Sequence, residues 1–154
     1  MMSRRHFLRA AGGLAAGAAL PAAAQSNRIL PAQDIAPLIA RITGGRPVEK
    51  RDVTVELPSL AENGNSVPLR ILVTSPMSAT DRVTDLHVFA ERNPRPFIAA
   101  YHFGPAVARA QVDTRIRLAV EQRVLVIAAL TGGRFLSGET HVVVTSAACI
   151  DEGI

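Results

Sequence analysis

One cysteine, Cys149, stands in a chain of 154 residues with four histidines and three methionines. A lone thiol can act as a nucleophile, a metal ligand, half of an intermolecular disulfide or a point of covalent attachment. Position narrows the choice. Cys149 follows Thr145, where the last alternating run of the sequence stops, by four residues. Four to five extended residues reach roughly 13 to 18 Å, so a thiol on the arm Ser146, Ala147, Ala148, Cys149, Ile150 can stand clear of a folded domain. Such a thiol suits delivery: it presents a covalently held group to a pocket in another protein and needs no pocket of its own. The opposing reading packs Cys149 as a small hydrophobe among Ala147, Ala148 and Ile150. Asp151 and Glu152 oppose thiolate formation by like-sign repulsion, which argues against a self-activated nucleophile. Spacing alone leaves both readings open.

Other chemistries find less support. His87, His102 and His141 fall inside strand-like runs, no nucleophile-elbow pattern surrounds a serine, and a hydrolytic triad is not expected. Thr131-Gly132-Gly133-Arg134 lacks the Lys-Ser/Thr ending of a phosphate-cradling loop and reads as a hairpin turn. A blue-copper centre gathers Cys, His and Met in one loop, whereas Ile150 to Ile154 supplies neither partner ligand, and Met77 and His102 would have to approach through space. The expectation is therefore no catalytic residue, no metal site and no resident cofactor.

The compartment follows from the beginning of the chain. Ser3-Arg4-Arg5-His6-Phe7-Leu8-Arg9 precedes a mildly apolar Ala/Gly-rich run from Ala10 to Leu20, and Pro21-Ala22-Ala23-Ala24 supplies small residues for cleavage. Paired arginines before Phe-Leu and a weakly hydrophobic core segment indicate a twin-arginine signal over residues 1–24, cleaved after Ala24, and hence a periplasmic destination. A membrane anchor needs about 20 strongly apolar residues, which this run does not provide. The formal net charge of +4 largely belongs to this leader: without residues 1–24 the balance is 14 basic against 13 acidic residues. Aromatic residues make up 4% of the chain, with no Trp, which disfavours nucleic-acid binding by base stacking. In an oxidising compartment an unpaired thiol points to an intermolecular bond or to sulfur chemistry.

The elements that position these residues are mostly strands. Ile35, Leu38, Ile39 and Ile42 recur at the spacing of one helical face, with Asp34 as a candidate cap, Pro37 in the first turn and Gly44-Gly45 as the exit. From Val53 the period drops to two. Runs beginning at Val53, Val67, Val83, Phe97, Ala110, Val124 and Thr140 make seven strands, with a possible short extra piece at Phe135-Leu136. Turn residues separate them, among them Asn63-Gly64-Asn65, Asn93-Pro94-Arg95-Pro96 and Ser137-Gly138. Seven short strands without intervening helices predict an all-β, immunoglobulin-like antiparallel sandwich, which with its short N-terminal helix occupies residues 25–145 and is followed by an arm over 146–154. A heterodimer would further require exposed apolar side chains on one sheet face.

The mature chain resembles the SoxY family, the sulfur-carrier subunit of the periplasmic thiosulfate-oxidising Sox system. The resemblance rests on Val55-Glu56-Leu57-Pro58 leading to Ala61-Glu62-Asn63-Gly64, then Val67-Pro68, Ser75-Pro76-Met77, Asn93-Pro94-Arg95-Pro96, His102-Phe103, Thr114 to Ala119 and Val142-Val143-Val144-Thr145. It implies a subunit that pairs with a SoxZ-like β-sandwich and carries sulfur on a cysteine near its C-terminus, the position of Cys149. The resemblance also implies transient partners: a SoxAX cytochrome that loads thiosulfate, a SoxB hydrolase that releases sulfate and, where present, SoxCD. Such a carrier is not itself an enzyme; the alternative is an interaction module with an inert cysteine. The family's usual Gly-Gly-Cys-Gly-Gly is here Ala147-Ala148-Cys149-Ile150-Asp151, a stiffer and wider arm because each β-carbon restricts the backbone.

Overall fold

The computed structural model describes residues 30–146. Residues 1–29 and 147–154 lie outside the described residues, and with them the leader and the arm residues Ala147, Ala148, Cys149 and Ile150.

Helix α1 (Ala36–Thr43) forms where the apolar spacing predicts it. Asp34 serves its start from just outside: the Ala36 amide donates to Asp34 Oδ1 at 2.9 Å, while Ile35 holds the cap position itself. Gly44 ends the helix in the left-handed region at φ 63°, where a β-carbon would be strained.

Nine strands follow: β1 (Val48–Glu49), β2 (Val53–Glu56), β3 (Leu60–Ala61), β4 (Val67–Val73), β5 (Val83–Ala90), β6 (Phe97–His102), β7 (Gln111–Ile116), β8 (Gln122–Leu130) and β9 (Phe135–Val144). They form two sheets, one in the order β1-β9-β8-β5-β6 with β3 also against β9, the other in the order β2-β4-β7. All pairings are antiparallel except the two-residue strands β1 and β3, which run parallel to β9. The β-sandwich is as expected. The two-residue strands β1 and β3 add to the seven expected, and the last strand begins earlier than expected for a physical reason centred on Ser137-Gly138.

That dipeptide reads as a turn, yet it continues a ten-residue strand in which Ser137 pairs with Ile127 and Gly138 with Val126. Glycine is there because a β-carbon at Gly138 would fall on the backbone carbonyl of Val53. The bare backbone lets β2 cross close to β9 and closes the seam between the sheets on that side.

The core between the sheets is built from alternating positions such as Val67, Leu69, Ile71 and Val73 of β4 and Leu86, Val88 and Ala90 of β5. Strand β8 is buried on both sides. Val124, Val126 and Ala128 enter the sandwich, while Leu125 and Ile127 point the other way with Phe89 and Phe135. Ile35, Leu38, Ile39 and Ile42 of the helix segment cover that second cluster. Burying each large apolar side chain contributes about 1.5–3 kcal/mol, so the helix is a structural lid on the larger sheet. The outer apolar cluster of the larger sheet is thus covered by the chain's own helix.

The large apolar side chains that remain exposed are scattered: Leu60 pairs with Val143 across β3 and β9, Phe97 opens β6, and Val107 lies in the β6–β7 loop.

Candidate functional site

Strand directions gather one set of connections at a single end of the sandwich. Val67 at the start of β4 faces Ile116 at the end of β7, Ala90 at the end of β5 faces Val124 near the start of β8, and Gln122 faces Val142 near the end of β9. The chain leaves the described fold at this end, toward Cys149.

Four hydrogen bonds hold the exit. The Thr145 amide donates to Ala61 O at 3.0 Å, and the Thr145 hydroxyl to Glu62 O at 3.3 Å. The Gly64 amide then donates to Ser146 O at 2.9 Å, and Gly64 O accepts the Leu118 amide at 2.8 Å. The turn at Asn63-Gly64-Asn65 thus lies between the end of the chain's last strand and the segment after β7. It is shaped by Asn63, whose Oδ1 accepts the Asn65 amide at 2.9 Å. Ser146, placed in the arm by sequence, is exposed but tied to the sandwich through its carbonyl. Cys149 is three residues further on, so its tether from this bond is about 10 Å at most.

A polar hub around half-buried Asn93 and buried Gln122 stiffens the same end. Asn93 Oδ1 accepts both the Ala119 amide at 2.9 Å and Gln122 Nε2 at 2.8 Å, while Asn93 Nδ2 donates to Arg117 O at 2.8 Å. Gln122, 2% exposed, receives the Arg92 amide on Oε1 at 2.9 Å. Gln33 Nε2 reaches across to Asn93 O at 2.6 Å. Sequence reasoning missed this hub by treating Asn93-Pro94 only as a turn. The available signal was Gln122, a polar side chain at the start of a strand that is otherwise almost wholly apolar.

The histidines occupy strands as expected, on the outer face of the larger sheet. His102 contacts Asp85 on the neighbouring strand. Burial works to raise the Asp85 pKa, and hydrogen bonds from Thr84 and His102 overcome it, leaving the carboxyl below its ordinary value. His87 lies two positions along from Asp85, with its Nδ1 buried and without a hydrogen-bond partner among the described residues. Burial lowers the His87 pKa, so the neutral ring is favoured. His141 pairs with Glu121 at 3.3 Å. Neither the His102–Asp85 pair nor the His141–Glu121 pair has a hydroxyl nucleophile bonded to its ring among the described residues. Met77 packs against the sandwich core. Among the described residues no group of three or more His, Cys, Asp or Glu side chains could hold a metal ion.

An open groove of about 350 Å³ runs over the smaller sheet between Glu56, Pro68, Arg70 and Asp113. Arg70 and Asp113 pair across it at 2.6 Å.

The family profile described as sulfur oxidation protein SoxY matches residues 39–149, a span that ends on the cysteine. The chain belongs to the SoxY family. A second profile, the twin-arginine translocation signal, matches residues 1–21, and the chain is accordingly routed to the periplasm. Among the described residues no helix is long and apolar enough to cross a membrane. No match to a curated protein was found.

Solved structures agree with membership of the SoxY family. The sulfur carrier protein SoxY from Chlorobium limicola f thiosulfatophilum is 25% identical, with a TM-score of 0.60 over 71% of this chain and 94% of that one. Superoxide reductases share the fold alone. The Ignicoccus hospitalis neelaredoxin E23A is 15% identical with a TM-score of 0.55, covering 62% of this chain and 81% of that chain. The Nanoarchaeum equitans enzyme is 12% identical with a TM-score of 0.53, covering 62% of this chain and all of that chain.

Proposed function

We propose that this SoxY-family protein is a periplasmic sulfur carrier that binds thiosulfate-derived sulfur covalently through Cys149 and presents it to partner enzymes. The observation that carries the reading is the family match over residues 39–149, which includes the chain's single cysteine. The hydrogen-bonded exit at Ser146 supports it, because a short tether from a rigid end gives a cargo group a defined station. Residues 25–145 serve as the holder after cleavage behind Ala24, and residues 146–154 as the arm.

Loading joins the Cys149 sulfur to the outer sulfur of thiosulfate. The thiol proton is released, a Cys–S–S–SO₃⁻ group forms, and two electrons pass to an oxidant of the c-type cytochrome class, the role of a SoxAX partner. Hydrolysis by a SoxB-type enzyme then releases sulfate and leaves a persulfide on the arm, for SoxCD where present. The carrier supplies no catalytic residue and no cofactor, and it works as a heterodimer with a SoxZ-like sandwich.

Mass spectrometry of the native protein turned over with thiosulfate and its partners tests the reading: a sulfur adduct on Cys149 is expected. Full sulfur-oxidising activity in Cys149→Ala, when deletion of the whole chain abolishes it, would instead establish the interaction module with an inert cysteine.

A further inference from the structure

The edges of the two sheets are protected unequally. Strand β9 is flanked by β1 and β3, and β2 closes onto β9 where Gly138 meets Val53. The outer strand of the smaller sheet, β7, carries Asp113 and Arg115, exposed charges of the kind that keep a sheet edge from pairing. Strand β6 ends the larger sheet without that protection. Phe97 to His102 contains no Asp, Glu, Lys or Arg, and among the described residues no strand pairs with its outer edge. An uncharged open edge is a template for another extended backbone.

Pairing with β5 decides which groups are open. The Phe103 amide donates to Thr84 O at 2.8 Å, and the same register sets Tyr101 opposite Leu86 and Ala99 opposite Val88. Backbone groups alternate sides along a strand, so Ala99, Tyr101 and Phe103 turn theirs toward β5, while Ala100 and His102 turn theirs outward. The register shift at Val88/Phe89 ends this alternation before Ile98. The outward N–H and C=O groups of Ala100 and His102 are bonded by nothing among the described residues. On the inner side, Tyr101 and Phe103 pack against the sandwich core but stay half-buried.

The strand is complementary to itself about Tyr101. In an antiparallel pair that sets Tyr101 opposite Tyr101 of a second copy, Ala100 falls opposite His102 in both directions, and every outward N–H and C=O of these residues gains a partner. Side-chain sizes agree with this register: small Ala99 meets large Phe103, small Ala100 meets large His102, and the tyrosine rings meet at the axis. Centring the pair on Ala100 instead would call on Ile98, which the register shift has turned out of line.

We propose that β6 is a homotypic docking edge, on which a second copy of this chain adds its own β6 antiparallel with Tyr101 at the two-fold axis, joining the larger sheets of the two copies into one. The axis lies toward the end of the sandwich opposite the exit at Ser146, so the two exits are directed apart and the seam leaves both free. The assignment does not depend on Cys149 or on the carrier reading.

Sedimentation equilibrium of the purified mature chain measures the association, with a thiol reductant present so that Cys149 cannot link two chains. A monomer–dimer equilibrium is expected between about 1 μM and 1 mM, because a seam this short is far smaller than a standard interface. Residue-resolved hydrogen exchange locates the seam: the Ala100 and His102 amides should exchange freely in dilute protein and become protected as the dimer fills. Ala100→Pro removes an outward donor that the monomer does not use, a change edge strands tolerate, and should raise the dissociation constant about tenfold or more. Ala100→Lys keeps the donor but brings like charges to about 7–8 Å of each other across the axis. It should weaken the dimer at low salt and less so at about 0.5 M salt. Leu60→Ser, which removes an exposed apolar side chain beside β9, should leave the equilibrium unchanged.

A chain that stays monomeric throughout that concentration range would overturn the proposal, as would a dimer indifferent to both Ala100 variants. Protection of the Ala100 and His102 amides in the monomer would also overturn it, by placing another segment of the same chain on this edge.

Discussion

Gly138 of β9 lies so close to the carbonyl of Val53 on β2 that no β-carbon fits between them. Both partners are backbone, so neither can swing aside. Gly138→Ala must push two strands apart along the seam between the sheets. The expected loss is at the upper end of the ~1–3 kcal/mol typical of overpacking. Urea unfolding should show a lower midpoint at an unchanged slope.

The Asn93 hub predicts graded damage. Asn93→Ala leaves the Ala119 amide, Gln122 Nε2 and Arg117 carbonyl without their partner. An unsatisfied buried polar group costs about 1–3 kcal/mol, and Gln122 is almost fully enclosed. Asn93→Asp retains the acceptor for Ala119 and Gln122 and loses only the donor to Arg117, so it should fall between Ala and the native protein. Equal losses in the two variants would show that the acceptor contributes nothing.

His87 makes stability depend on pH. Burial holds its pKa below the reference value of 6.5, so below that pH the unfolded chain takes up a proton that the folded chain resists. Stability from this group is therefore fully present above about pH 6.5 and declines as the pH falls toward the folded value. His87→Phe should flatten this part of a plot of Tm against pH. Because the side chain is half-buried, the effect is a modest one, read as the difference between variant and native profiles.

The helix lid can be tested at Ile35, which is 6% exposed against Phe89, Leu125, Ile127 and Phe135. Ile35→Asp places a carboxylate in that apolar contact. The sandwich core on the other side of the sheet contains none of these residues, so it should persist. The expected signature is binding of a hydrophobic dye together with retained β-sheet circular dichroism. Complete unfolding would show that the sandwich cannot stand without its lid.

Much of this architecture is legible in the residue order. The 3.6-residue spacing of Ile35, Leu38, Ile39 and Ile42 gives the helix, and the alternation of Val67 to Val73 gives β4. Ser137-Gly138 reads as a turn in the residue order because glycine marks a close backbone approach as readily as a turn, and only the position of Val53 in three dimensions decides between them. The short strands Val48–Glu49 and Leu60–Ala61 have no local period to read; they exist because β9 offers them an edge. The exit at Ser146 was equally hidden, since its bonds go to Gly64, 82 positions earlier. Cys149 stands out in the residue order through being alone.

Strand β8 has neighbours on both edges and apolar cover on both faces. Its amide protons therefore have no shallow route to solvent and should exchange with deuterium only when the whole domain opens, whereas those of α1, a two-turn element on the periphery, are free to exchange by detaching locally. The interior of the molecule thus keeps a long memory of having folded, while its outer layer renews contact with water continually.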